Sequence, residues 1–116
     1  MRASLLAIGL ITAAINSPAD TLTTPSYKIT VEERCPEYHV TCDNVRYIGV
    51  SRKSGKSITL IGKTVHTIGT DGVTPSHFLG YEFKSGRTIY SVGGDGQLRV
   101  TRGPKVLVEE KGVWKW

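Results

Sequence analysis

No apolar run in this sequence approaches the roughly 20 residues that a membrane-spanning helix needs. The longest, Ala3 to Ile15, is 13 residues and sits at the N-terminus. Beyond it no window carries a helical period, which excludes a helix bundle. Charge is not blocked either. Lys and Arg outnumber Asp and Glu by 15 to 10, a net +5, yet the cations are spread along the chain instead of forming the stripe expected of a nucleic-acid binder. A solvated surface, or a face suited to an acidic partner, is the expected meaning of this balance.

The usual chemical signatures are missing as well. Gly55-Lys56-Ser57 has the ending of a phosphate loop, but Gly49 and Gly55 enclose five residues where that motif needs four. The residues after it are strand-like, so no helix N-terminus is there to hold a phosphate. His39, His66 and His77 lie in separate segments without ligand spacing, and no serine sits in a nucleophile-elbow context. Asp71-Gly72 and Asp95-Gly96 lack the run of oxygen ligands that a calcium loop requires and are explained as turns. The carboxylates are scattered, so a catalytic pair arises only if folding assembles one. The expectation is a non-enzymatic chain without catalytic residues, cofactor or metal.

What is present begins with a leader. Arg2 supplies a positive start and Ala3–Ile15 an apolar segment; Ser17 and Ala19 then occupy the −3 and −1 places of a signal-peptidase site. Residues 1–19 are therefore expected to be a cleaved signal peptide and 20–116 a single domain of 97 residues, periplasmic or secreted. No Cys stands near the cut, so no lipid anchor is expected, nor any stable membrane insertion.

In an oxidising compartment Cys35 and Cys42 read as a disulfide. A metal site using them with His39 needs more ligands than the segment offers. With both thiols tied up, the strongest nucleophiles are also removed.

The remainder reads as strands. Asp20 to Ser26 looks like a loose polar lead-in. Tyr27 to Arg34 alternates, with Tyr27, Ile29 and Val31 on one face. Val40–Arg52 holds one or two strands, and Ser57–Ile61 and Lys63–Ile68 are again strand-like, with a bulge or bend at Gly62. Residues 69–76 form the longest irregular stretch. Phe78–Lys84, Arg87–Val92, Gln97–Arg102 and Lys105–Glu110 follow, separated by Gly-containing turns. About seven or eight short, evenly spaced strands predict an all-β fold, an antiparallel meander closed as a small barrel or folded as a sandwich.

Two surface features are candidates for partner binding. Arg52, Lys53, Ser54, Gly55 and Lys56 put three cations on one hairpin tip, either a solubilising tip or a docking loop for an acidic cleft. Trp114 and Trp116 straddle Lys115, so in a strand both indoles share a face. They either cap the core or anchor a partner.

Several of these residues also carry a resemblance. Cys35-Pro36-Glu37, Thr41 to Tyr47, Gly55-Lys56, Asp71 to Pro75 and Phe78 to Lys84 together resemble a group of small exported bacterial proteins to which no activity is attached. In that group positions 69 and 76 are often cysteines. Gly69 and Ser76 stand there in this chain, which implies a more mobile loop. A fainter similarity is to the periplasmic inhibitors of c-type lysozyme, small disulfide-bearing β-barrels. Ser51, Ser54 and Gly55 match their inhibitory motif, while Ile58 replaces its tyrosine and the cysteine pattern differs. The basic charge of this chain also disfavours a basic lysozyme as target.

These readings converge on an exported module that binds another protein, as an inhibitor of a cell-wall hydrolase or an immunity protein against a delivered toxin. The alternatives are an envelope-associated structural module working through Trp114 and Trp116, and a small hydrolase with a carboxylate pair.

Overall fold

The computed structural model describes residues 19–116. The expected leader, residues 1–19, lies outside them apart from Ala19. Nine strands follow one another: β1 (Ala19–Thr23), β2 (Tyr27–Glu33), β3 (Val45–Ser51), β4 (Ser57–Ile68), β5 (Pro75–Ser85), β6 (Thr88–Gly93), β7 (Gln97–Arg102), β8 (Lys105–Lys111) and β9 (Val113–Lys115). Consecutive strands from β1 to β8 pair antiparallel, and β9 returns to β1, giving the order β8-β7-β6-β5-β4-β3-β2-β1-β9. The all-β meander is thus a nearly closed barrel, and the sandwich alternative does not apply.

Closure depends on the C-terminal run. Only Gly112 separates β8 from β9. The chain therefore leaves β7 and joins β1 within one residue, bringing Trp114 opposite Leu22. Next to this junction the β1–β2 turn is tied to β8: the Ser26 N–H and hydroxyl donate to the two oxygens of Glu110 at 3.0 and 2.6 Å. Those bonds stabilise the ionised carboxylate and hold its pKa below the ordinary glutamate range.

Alternation along the strands fills the interior. Leu22, Ile29, Val31, Val45, Tyr47, Tyr81, Phe83, Val92, Leu98 and Val100 form the core, contributed by β1, β2, β3, β5, β6 and β7. At its centre Phe83 lies 5.0 Å from the Tyr47 ring and 6.3 Å from the Tyr81 ring, centroid to centroid. The disulfide joins Cys35 to Cys42 with Cα atoms 5.8 Å apart and pins the β2–β3 loop. Buried Cys42 packs into the core, and its N–H donates to the Thr64 hydroxyl at 3.0 Å. A cross-link closing so short a loop contributes about 2–3 kcal/mol on the chain-entropy model.

Two expectations need correction. Residues 19–23 are not a loose lead-in; Leu22, flanked by polar residues, is completely buried and makes this segment a barrel strand. The bend at Gly62 does not exist, because β4 runs unbroken for 12 residues. Gly62 instead faces Phe83, where an added Cβ would stand 2.1 Å from the Glu82 carbonyl, so glycine there permits close packing. The irregularity falls later, at Val65–His66. Val40–Arg52 contains one strand, because the first part belongs to the cysteine loop.

The β4–β5 loop is shorter than residues 69–76, since β5 begins at Pro75. Asp71 organises it. Its carboxylate accepts the N–H groups of Val73 and Thr74 at 3.0 and 2.8 Å and the Thr74 hydroxyl. These donors lower its pKa to about 2, with the Thr74 hydroxyl the largest cause. Because the folded value lies below the unfolded one of about 3.9, this support is present above that value and disappears as pH falls through about 2. NMR titration is expected to find the Asp71 midpoint near 2 and to see order lost at residues 70–74 below it. An ordinary aspartate midpoint would show that the loop is not held in this way.

Candidate functional site

In an antiparallel meander every second turn lies at the same end. The turns 52–56, 86–87 and 103–104 therefore lie on one side of this meander, and 24–26 is hydrogen-bonded to 52–56. They carry or adjoin Arg52, Lys53, Lys56, Arg87, Arg102 and Lys105, all exposed, and contain no Asp or Glu. Glu110 reaches this group through its bonds to Ser26. The loops of the opposite end, 34–44, 69–74 and 94–96, hold Glu37, Asp43, Asp71 and Asp95 against Arg34. Charges scattered along the sequence are thus sorted by the fold into a cationic end and a mainly acidic end.

The candidate tip is well ordered by its own chemistry. The Ser51 N–H donates to the Lys56 carbonyl at 2.9 Å and the Gly55 N–H to the Ser51 carbonyl at 2.8 Å. Gly55 adopts φ 77°, a conformation that disfavours any side chain. The hydroxyl of Ser51 accepts from the N–H groups of Lys53 and Ser54, and that of Ser54 from the Lys56 N–H. Both serines are thereby engaged in shaping the turn.

Arg52 differs from its neighbours. Its guanidinium donates to the Thr24 carbonyl at 2.8 Å, and its N–H to the Ser26 carbonyl, also at 2.8 Å. It joins two turns of the cationic end. Lys53 and Lys56, without such bonds, are the charges this tip presents outward.

Behind the tip lies a cavity of about 450 Å³ between the facing walls of the barrel. Tyr27, Tyr47, Tyr90, Leu98 and Val100 line it, and Lys56 stands over it. Gly49, on the same face as Tyr47, leaves room for the phenol, since a Cβ there would stand 2.7 Å from the Tyr47 hydroxyl. Burial raises the Tyr47 pKa, helped by the neighbouring Tyr90 and Tyr27, so the phenol stays protonated.

The two tryptophans differ in burial. Trp114 packs against the core, meets Tyr81 edge-on and donates its indole N–H to the Gly93 carbonyl at 2.9 Å. Trp116 stacks on it at 4.8 Å and remains 70% exposed, next to Phe78 and Leu79. One indole caps the barrel; the other is largely exposed.

Folding also assembles an acidic recess that the linear sequence concealed. Asp20, Glu33 and Glu37 line a space of about 270 Å³ beside Cys35 and His39. Desolvation, then the charge of Glu33, raises the Asp20 pKa, and the Tyr81 hydroxyl donates to Glu33 at 3.1 Å. The pairing of β1 with β2 creates this recess, which a loose lead-in over residues 20–26 would not form. His66 packs against Phe78, His39 against Tyr38, and His77 is exposed. Among the described residues no group of three or more His, Cys, Asp or Glu side chains is placed to hold a metal ion.

Fold and site together define a small disulfide-pinned β-barrel with one cationic mouth. No protein-family model, no curated protein and no solved structure matches the chain.

Proposed function

We propose that this chain is an exported, non-enzymatic module that captures an acidic protein, as an inhibitor or immunity protein of the periplasm or extracellular space. The observation that carries this reading is the clustering of Arg52, Lys53, Lys56, Arg87, Arg102 and Lys105 around one barrel end without an acid in its turns. Such a one-sided field accelerates encounter with an acidic surface and repels basic ones. The hydrogen-bonded tip presents Lys53 and Lys56 in a fixed shape, which reduces the entropy lost on docking. Exposed Trp116 at the other end remains a second contact point for the envelope-associated version of the same class.

The test reverses charges that do not hold the fold. Lys53→Glu, Lys56→Glu and Lys105→Glu combined should leave thermal stability near wild type while weakening partner capture by at least about tenfold. Arg52 is spared because its guanidinium ties two turns together. Capture is read by pull-down with the oxidised protein from periplasmic and extracellular extracts at low and moderate salt. Undiminished capture by the triple variant would overturn the reading.

The acidic recess favours a second reading, hydrolysis by a carboxylate pair. Asp20 with its raised pKa would serve as acid and Glu33 as its partner carboxylate. Glycan turnover abolished by Asp20→Asn would establish it. No turnover by the wild-type protein would remove it.

A further inference from the structure

The cavity under the cationic tip has a chemistry of its own. Its walls come from strands on opposite sides of the barrel, so it belongs to the interior and not to a surface groove between neighbouring strands. At about 450 Å³ it falls within the range of small-molecule sites, which barrel mouths commonly provide. Its polar side chains can all donate: the Tyr27, Tyr47 and Tyr90 phenols and the hydroxyls of Ser51 and Ser57, which also accept, and the Lys56 ammonium, which only donates. No carboxylate lines it. Leu98, Val100 and Val108 complete it with apolar surface.

A site rich in donors, free of acids and backed by aliphatic side chains is matched by an oxyanion attached to an apolar body. A cation would meet Lys56 and the surrounding Lys and Arg residues. A wholly apolar molecule would leave the hydroxyls without partners.

We propose that the barrel mouth binds a small amphiphilic oxyanion, a carboxylate or phosphate monoester whose apolar part lies against Leu98, Val100 and Val108 and whose head meets Lys56 and the tyrosine hydroxyls. The site shares Lys56 with the protein-capture face but not Lys53 or Lys105. Its occupant sits inside the barrel, whereas the captured protein would rest on the outer ends of Lys53, Lys56 and Lys105.

Octanoate, octyl phosphate, octanol and inorganic phosphate titrated into the oxidised protein test this by calorimetry and NMR. Octanoate or octyl phosphate is expected to bind saturably at one site. Octanol should bind about tenfold more weakly, because it lacks the charge-assisted bonds of the head. Inorganic phosphate should not saturate, because it lacks the apolar body. Preference between the two anions names the head group.

Ile58 lines the cavity and is 37% exposed, so Ile58→Trp can fill the mouth without entering the core. It should abolish octanoate binding, and Lys56→Gln should weaken octanoate about tenfold while leaving octanol unchanged. Absence of saturable binding, or octanoate binding indifferent to Ile58→Trp, would overturn the proposal. Neither outcome bears on charge reversal at Lys53 and Lys105, so failure here is distinguishable from failure of the protein-capture reading.

Discussion

Replacing Phe83 with alanine is expected to destabilise the barrel by about 3–5 kcal/mol, read as a fall in the urea midpoint at constant slope. The ring is completely buried and lies between Tyr47 and Tyr81, whose aromatic contacts would be lost along with its own transfer free energy. The size of the effect depends on whether the surroundings can collapse into the space, and here they are held back. Across the sheet from Phe83 stands Gly62, which has no side chain to move in. A Cβ at Gly62 would meet the Glu82 carbonyl at 2.1 Å, a backbone atom that cannot step aside cheaply. The hole therefore persists, which places the variant toward the upper part of the range. Domains of this size have total stabilities of about 5–15 kcal/mol, so Phe83→Ala should leave a folded protein with little margin. A loss below about 1.5 kcal/mol would mean that Tyr47 and Tyr81 close over the gap and that the core is less tightly framed than the geometry implies.

The all-β class was legible because turn dipeptides such as Ser85-Gly86 and Gly103-Pro104 punctuate alternating apolar segments at short intervals. The cationic end was not, and the reason is one of parity. Which turns share an end of a meander depends on counting every strand correctly. Reading a bend at Gly62 splits β4 in two and assigns the turn at 52–56 to the end opposite 86–87 and 103–104. With β4 whole, Arg52, Lys53 and Lys56 join Arg87, Arg102 and Lys105. Glycine in a strand has two physical meanings, a break or a close approach, and only the position of Phe83 opposite Gly62 separates them.

The other miss came from short strand length and thin hydrophobicity. In β1 (Ala-Asp-Thr-Leu-Thr) Leu22 is the one large apolar residue, too little for a periodic signal. Its partner is visible only in three dimensions, because Trp114 reaches it from the far end of the chain. The acidic recess at Asp20 and Glu33 went unseen for the same reason. The cavity beneath Lys56 was hidden too, since its tyrosines come from β2, β3 and β6 and no local pattern links them.

Barrel closure supplies the second large effect, expected from a single methyl group. Gly112→Ala should cost about 3 kcal/mol, with a change in tryptophan fluorescence as Trp114 loses its place. The new Cβ would stand 2.3 Å from the Thr23 carbonyl and 2.8 Å from the Thr24 methyl. Thr24 cannot yield easily: it is buried, and its hydroxyl accepts the Tyr27 N–H at 3.0 Å, which shapes the β1–β2 turn. Movement in the other direction is blocked as well, because the Gly112 N–H donates to the Gly96 carbonyl at 2.9 Å and Gly96 itself packs against the Gly112 backbone. Relief therefore requires β9 to separate from β1, which removes the Trp114 bond to Gly93 and uncovers Leu22. Gly55→Ala is the control. Its φ of 77° disfavours alanine by about 1 kcal/mol, but no atom lies within 4 Å of the added Cβ. If the two variants lose equal stability, strain at Gly112 is being released without opening the seam, and β9 is an appendage to the barrel. A clearly larger loss at Gly112, accompanied by the fluorescence change, makes β9 the strand through which the meander becomes a barrel.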